Sequence, residues 1–578
     1  MKNNKLNLRI AGEAGDGLNS SSLLFAKTFS RNGYNVYVNG EFRSQIRGGQ
    51  NYYNVRIGEG TVNTHSNEID ILLALNEKSV EIHKSNLTED GYIIYDSEQF
   101  ELNTDDLPDN IQVFPIPLRS IAKEAGSEIM KNTVAVGAIL GLLKYDLELF
   151  KKLLAEIFKK KGEEVINQNW QAAEKGFNLS QEKFQGQVKI EITPLQEPRK
   201  NMLLNGNDAI CLGAINAGCK FVSEYPMTPS SSILHFMAAQ AQDYNVVVKH
   251  TEDEIAAMLM LIGASFAGAR VLTGTSGGGF SLMAEGLGLA GMSETPIVVV
   301  NSQRPGPSTG LPTRTEQGDL QFMLHASQGE FPRIVIAPGD LNECFYETFR
   351  AFNLAEKYQL PVIILVDKYL SESIATNPPY DTSDLKIDRG KLLSEEELNS
   401  LKDPKRYELT EDGISPRWIP GIPNHMYRAT GDTHNEKGGL AENSKLRTAM
   451  MDKRAKKLQI ALQDLPKPKL IGPEDADITL VSWGSNKNTI LEVLEKLEQK
   501  NIKANFLQIL YMLPFHTQEV KEILSNAKRV IDIEVNGTGQ LAALIREKTG
   551  FNIKKKILKY SGRPFSSKEI LLKLKKLI

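Results

Sequence analysis

Residues 250–318 constrain this chain most, because they repeat one unit: a short apolar run, a polar loop rich in Gly, Pro or Ser, and a helix of small and apolar residues. The run at 245–249 leads into Glu252-Asp253-Glu254 and a helical segment that extends to residue 269. The run at 271–274 leads into Thr275-Ser276-Gly277-Gly278-Gly279, and the run at 297–301 into Gln303-Arg304-Pro-Gly-Pro-Ser308-Thr-Gly-Leu-Pro-Thr313. The pattern begins earlier, where a run at 219–222 ends in Glu224-Tyr225-Pro226-Met227-Thr228-Pro-Ser-Ser-Ser232. Strands alternating with helices in this way predict an α/β fold with a parallel sheet. The polar loops then share one edge of the sheet, the edge at which such sheets bind ligands.

The segment that follows the acidic triplet is apolar on nearly every face, which predicts a buried helix. A carboxylate at its mouth is either a helix-start charge or an acid tuned by burial. Arg304, if buried in the same crevice, needs an anion from the protein or from a ligand. Capped packing turns are the alternative reading of these loops.

At 578 residues there is room for about three domains. The first, at 1–190, opens with a strand at 6–11, the turn Gly12-Glu-Ala-Gly15-Asp16-Gly17, a helix at 20–32 and a strand at 36–38. The turn either packs or binds a nucleotide, although its glycine order is not that of the dinucleotide fingerprint. Arg43 and Arg47 flank a polar turn and either grip an anion or face solvent or a partner. The central domain covers 200–375 and the last covers 471–578, with strands at 477–482, 504–507 and 529–535. Between them, 376–470 is dominated by Asp, Lys and Glu and is expected to run over the surface with little core of its own. His425 and His434 within it are expected to be solvated or at an interface.

Net charge is −3, which gives no footprint for nucleic acid. The three cysteines, Cys211, Cys219 and Cys344, lack CxxC spacing and cannot by themselves hold an iron–sulfur cluster or a structural zinc; they read as reduced core thiols of a cytoplasmic protein. The N-terminal MKNNKLNLRI has no signal-peptide core, and no apolar run is long enough to span a bilayer.

Taken in order, Tyr225-Pro-Met-Thr-Pro-Ser-Ser, Glu252-Asp-Glu254-Ile-Ala-Ala, Thr275-Ser-Gly-Gly-Gly, Gln303-Arg304-Pro-Gly-Pro-Ser-Thr-Gly-Leu-Pro-Thr and Glu534-Val-Asn-Gly-Thr-Gly-Gln resemble the alpha subunit of 2-oxoacid:ferredoxin oxidoreductases over nearly the whole chain. The first 190 residues look like that family's gamma subunit, fused ahead of it. The resemblance implies that 200–375 is the pyrimidine-side thiamine diphosphate domain and that 471–578 is a transketolase C-terminal-like domain. It places the diphosphate, Mg²⁺ and a 4Fe-4S cluster on a separate beta subunit. Gly15-Asp16-Gly17 does not replace that site, because Asn39 follows it too early and Asn51 too late to complete a thiamine-type metal motif.

What the resemblance implies for the site is specific. Glu254 stands nine residues before Gly263 and fourteen before Gly268, the relation of the family's activating acid to two helix glycines; Glu252 is the second choice, and Asp253 is expected to be a helix-start charge. Thr228 and Arg304 are expected to bind substrate, Arg304 through two parallel hydrogen bonds to a carboxylate. Tyr225, Pro226, Ser276, Gly277 and Glu254 are expected to line the cofactor pocket. The implied reaction is CoA-dependent oxidative decarboxylation of a 2-oxoacid with reduction of ferredoxin, carried out by a heterodimer or a dimer of heterodimers. 2-Oxoglutarate, giving succinyl-CoA, is the favoured substrate, with pyruvate or a branched-chain 2-oxoacid as the alternative. Two other readings are a nucleotide-binding or assembly subunit, and a thiamine-dependent synthase without electron transfer.

Overall fold

The computed structural model describes residues 2–43 and 48–577. The chain divides into two compact units, Met1–Leu204 with Glu372–Tyr380, and Asn205–Ser371 with Asp381–Ile578. Both are α/β. Among the described residues no helix is long and apolar enough to cross a membrane.

In the first unit, strand β1 (Lys5–Ala14) runs into helix α1 (Leu18–Arg31), followed by β2 (Asn35–Glu41), β3 (Gly48–Gly58), β4 (Ile69–Ala74), β5 (Leu87–Asp96) and β6 (Gln112–Ile116). Helices α2 (Lys131–Leu142) and α3 (Glu163–Phe184) and strand β7 (Met202–Leu204) follow, with shorter helices between them. The sheet order is β6-β5-β4-β1-β3-β2, then the strand Ile374–Asn377, then β7. β3 lies antiparallel to both β1 and β2. The sequence pattern gives no strand at 48–58. Tyr53, Val55 and Ile57 do alternate with Asn54 and Arg56, but the alternation is short and follows the polar Gly48-Gly-Gln-Asn51, and ladders on both sides hold β3 in place.

Helix α2 is buried on every face from Thr133 to Leu142, as its apolar sequence demands. It meets α3 at backbone distance. A Cβ on Gly137 would stand 2.1 Å from the Ala173 carbonyl oxygen, and one on Gly176 would stand 2.4 Å from that of Val134. Small residues let the two helices close to this separation.

The glycine turn after β1 is filled by protein groups. Asp16 Oδ2 accepts from the Glu13 backbone N–H at 2.8 Å, and its Oδ1 pairs with Lys131 Nζ at 3.1 Å. Gly17 caps α1 at φ 74°, and a Cβ there would stand 2.1 Å from Asn132 Nδ2. Arg43 is exposed, and its backbone N–H donates to Asn51 Oδ1. Arg47 lies outside the described residues.

The second unit contains β8 (Phe221–Glu224), β9 (Val247–His250), α4 (Glu254–Phe266), β10 (Val271–Thr275), α5 (Gly277–Met292), β11 (Ile297–Gln303), β12 (Ile334–Ile336), α6 (Leu341–Tyr358), β13 (Pro361–Asp367) and α7 (Ser444–Asp464). It continues with β14 (Lys469–Ile471), β15 (Ile478–Ser482), β16 (Ala504–Gln508), β17 (Tyr511–Leu513), β18 (Val530–Glu534), α8 (Gln540–Thr549) and β19 (Lys555–Leu558). One sheet has the order β9-β8-β10-β11-β13-β12-β17 and is parallel except for β17. The other has the order β14-β16-β15-β18-β19. Trp483, Leu507 and Met512 share a continuous apolar core with Met258, Phe280 and Val299.

Two expectations need correction here. Helix α4 is only half buried: Ala257, Met258, Leu261 and Ile262 face the core, while Ile255, Leu259 and Met260 are each about 45% exposed. Its all-round apolarity therefore leaves an apolar stripe at the surface of this chain. His434 is fully buried against Tyr407 rather than solvated, with its Nδ1 3.0 Å from the Asp432 carbonyl oxygen. Burial lowers its pKa. His425 is half-buried, with Nε2 2.8 Å from Asn399 Oδ1.

The stretch after residue 380 also holds more buried structure than its composition suggests. Glu294, fully buried at φ 50°, receives Lys453 Nζ at 2.6 Å and Lys457 Nζ at 2.5 Å from α7. Burial opposes its ionisation, but the two lysines hold the carboxyl well below the usual carboxylate range. Glu356 on α6 gathers Arg270 at 3.1 Å and Arg389 and Arg417 each at 2.6 Å. Charged residues that read as a solvated surface are the anchors of this segment.

Candidate active site

The site lies where β8, β9, β10 and β11 end. At the start of α4, Asp253 is the N-cap, and its side chain accepts from the Ala256 N–H at 2.8 Å. The middle acid of the triplet thus takes the capping role. Glu252 is exposed, whereas Glu254 is buried, with Oε1 enclosed and without a hydrogen-bond partner. Burial pushes the Glu254 carboxyl up, and Asp253 adds to this; its own backbone N–H and Arg304 act in the opposite direction.

Helix α5 begins directly against this carboxyl. Its N-cap, Ser276, is fully buried and its hydroxyl has no partner. The glycines that follow are required by what faces them. A Cβ on Gly277 would stand 2.4 Å from Asp319 Oδ2, and one on Gly279 would stand 2.4 Å from Glu254 Oε1. At Gly278 a Cβ would make only ordinary contacts, with Met227 Sδ at 3.8 Å and the Ser308 carbonyl oxygen at 3.9 Å. The loops after β8, β10 and β11 therefore converge on the first turn of α5.

Arg304 ties two of these loops together, since its Nη1 donates to the Thr228 carbonyl oxygen at 2.8 Å. Burial pulls its guanidinium down, while Asp319 and Glu254 support its charge. The structure thus gathers Thr228, Glu254, Ser276, Gly277 and Arg304 around one crevice. Pro226 is half-buried, and Tyr225 lies outward, 37% exposed and 6.3 Å from the His250 ring.

Two acids in this region were not singled out from the sequence. Asp319 accepts from Asn301 Nδ2 at 3.1 Å, and burial raises its pKa. It sits one residue past the repeated stretch, and only the paired need of Gly277 would have marked it. Glu224 is fully buried at the end of β8. Ser230 Oγ donates to its Oε1 at 3.3 Å, its Oε2 has no partner, and burial raises its pKa well above the usual range. It stands beneath the Thr228 loop with its carboxyl pushed up by burial, a shift that no local sequence pattern encodes.

Comparisons with known proteins give the family of the chain. Residues 212–453 match the family model described as Pyruvate flavodoxin/ferredoxin oxidoreductase, thiamine diP-bdg; residues 7–179 match Pyruvate ferredoxin/flavodoxin oxidoreductase; and residues 476–570 match Pyruvate:ferredoxin oxidoreductase core domain II. The 2-oxoacid:ferredoxin oxidoreductase subunit alpha of a Sulfolobus species is 33% identical, over 98% of this chain and 96% of that one. The chain belongs to the 2-oxoacid:ferredoxin oxidoreductase family. It is an alpha subunit of these enzymes and carries their thiamine diphosphate-binding domain. The 2-oxoglutarate oxidoreductase subunit KorA of Mycobacterium tuberculosis is 28% identical over 97% of this oxidoreductase chain and 90% of its own. The structure of 2-oxoglutarate:ferredoxin oxidoreductase from Magnetococcus marinus, with 2-oxoglutarate, coenzyme A and succinyl-CoA bound, superposes with a TM-score of 0.93. It is 35% identical and covers 99% of both chains.

Proposed function

We propose that this alpha subunit supplies the acid and substrate-carboxylate half of an active site for CoA-dependent oxidative decarboxylation of 2-oxoglutarate, with ferredoxin as electron acceptor. The observation that carries the reading is the enclosed, unpartnered Oε1 of Glu254 against the glycine turn of α5. A carboxyl raised by burial keeps its proton to higher pH than a solvated glutamate, which suits it to protonate a nitrogen heterocycle. These residues fit the pyrimidine side of thiamine diphosphate, which when bound supplies a carbon nucleophile for the keto group and an electron sink for decarboxylation.

Glu254 holds the proton at Oε1, and burial beside Ala257 and Met258 excludes water from it. Gly278 is exposed at the first turn of α5, and the buried, unpartnered Ser276 hydroxyl stands at the start of the same turn. Arg304 is pre-oriented by the Thr228 carbonyl through Nη1, which leaves the rest of its fork for a 2-oxoacid carboxylate. Glu224 keeps the Thr228 loop in place through Ser230.

Residues 1–190 act as a gamma-like domain and 471–578 as a transketolase-like domain in this reading. The apolar stripe of Ile255, Leu259 and Met260 on α4, with Leu282 on α5, borders the crevice and supports a second chain seated there. That beta subunit carries the diphosphate-binding Mg²⁺ and the iron–sulfur cluster. The Magnetococcus and Mycobacterium relatives support 2-oxoglutarate over pyruvate or a branched-chain 2-oxoacid.

The deciding experiment is co-purification of the chain with its partner, followed by CoA-dependent dye reduction with a panel of 2-oxoacids. The highest kcat/KM is expected with 2-oxoglutarate. Preference for pyruvate or a branched 2-oxoacid overturns the substrate, and turnover by this chain alone overturns the shared site.

A further inference from the structure

A second cavity lies at the opposite end of helix α5. It has a volume of about 280 Å³ and is lined by Gly288, Phe331, Gly431, Arg447, Met451 and Arg454, among others. Gly288 is eleven residues along α5 from Gly277, so the cavity stands about 16 Å from the thiamine-side crevice. Nothing in the decarboxylation reading uses it.

Its floor holds an unbalanced charge. Arg454 is 2% exposed, yet its Nη1 has no hydrogen-bond partner and its Nη2 reaches only Met451 Sδ at 3.3 Å. The nearest buried carboxylate, Glu294, is already occupied by Lys453 and Lys457. Arg406, in the same neighbourhood, donates to the Gln359 side-chain oxygen at 2.9 Å and to the Glu294 backbone carbonyl at 3.0 Å, both neutral acceptors. One carboxylate therefore faces four cationic side chains, and burial with this crowding pulls Lys457 down to about 7. Lysine can release its proton; an arginine cannot. Glu285 and Glu330, also on the lining, are exposed, and among the described residues neither pairs with Arg454. A buried guanidinium without an anion is costly, and Arg454 has an open cavity before it.

We propose that this cavity binds a small oxyanion, a phosphate or a carboxylate, held by Arg454 at its floor and by the exposed Arg447 at its mouth. Guanidinium forks match both groups through paired N–H donors. The volume admits a small metabolite or the terminal group of a larger one.

The test is isothermal titration of the full-length chain, together with any chain that co-purifies with it, using inorganic phosphate in one arm and acetate in the other at ionic strength fixed with KCl. Saturable binding of at least one anion is expected. Arg447→Ala should weaken it about tenfold, the loss of one charge-assisted contact. Arg454→Met should abolish it, and Arg454→Lys should retain it weakly. Binding that Arg304→Ala removes belongs to the active-site arginine, and only the binding that survives in that variant counts for this cavity. Phosphate binding with acetate silent identifies a phosphoryl ligand, and the reverse a carboxylate. Absence of saturable binding in both arms, or equal affinity in Arg447→Ala, overturns the proposal. Arg447 is exposed, so its variant decides the matter even if Arg454→Met fails to fold.

Discussion

The carboxyl of Glu254 occupies the space that a side chain at position 279 would need. A methyl group there would stand 2.4 Å from Glu254 Oε1 and 2.2 Å from Thr275 Oγ1. The acid and the glycine turn are therefore one device, built from two helices that pack along their first turns. Gly279→Ala should displace the carboxyl and destabilise the chain by about 1–3 kcal/mol, as overpacking does. Glu254→Gln keeps the shape and removes the acid, so turnover should fall about 100-fold or more while thermal unfolding stays close to wild type. Turnover that survives Glu254→Gln would remove this residue from the chemistry.

Arg304→Lys tests the substrate contact. Lysine keeps the charge but cannot hold the Thr228 carbonyl and a carboxylate in one planar fork. KM for the 2-oxoacid should rise about tenfold, with kcat changed much less. Steady-state kinetics over a range of 2-oxoacid concentrations separates the two, and an unaltered KM would make Arg304 a purely structural tie.

Glu224 gives a pH signature. Burial raises its folded-state pKa well above the usual range, so between the ordinary carboxylate value and the raised one the folded state binds the extra proton. Its contribution to stability is complete at low pH and is lost as pH rises through that window. Glu224→Gln should flatten this decline in a series of denaturant titrations from acid to alkaline pH. An identical pH dependence in the variant would show that Glu224 is ionised in the fold.

Glu294 anchors α7 through Lys453 and Lys457. Glu294→Gln leaves two buried lysines without a counter-charge and should cost about 3–5 kcal/mol. The loss should appear first as faster proteolytic cleavage within 381–470. Glu294 also sits at φ 50°, a strained backbone for a residue with a Cβ, so Glu294→Gly should relax the turn yet still release α7.

The sequence marks the edges of this molecule better than its interior. Apolar runs followed by Gly/Pro loops placed the strands that carry the crevice, because β-strands in a parallel sheet are buried on both faces and are continuously apolar. Glu254, Thr228 and Arg304 fell on the ends of those strands and do converge. Other features arise from partners distant in the chain. β3 owes its place to ladders on both sides, and Asp319 is revealed only by the glycine it faces. The Lys453–Glu294–Lys457 cluster reads as solvated charge because pairing across more than a hundred residues leaves no local pattern, and His434 does so because the Tyr407 ring that covers it lies in a different part of a polar stretch. The exposed stripe of α4 shows the converse, since an all-apolar helix is satisfied only when every surface it needs is in place.

The strand Ile374–Asn377 pairs with β2 on one side and β7 on the other, so the first sheet is finished by chain that arrives only after α6 and β13 have been made. A gene split after residue 200 would thus yield an N-terminal polypeptide whose β2 edge lacks the strand that covers it here. During synthesis on the ribosome the same edge waits unpaired for some 330 residues, a natural place for a chaperone to act or for two nascent chains to stick together.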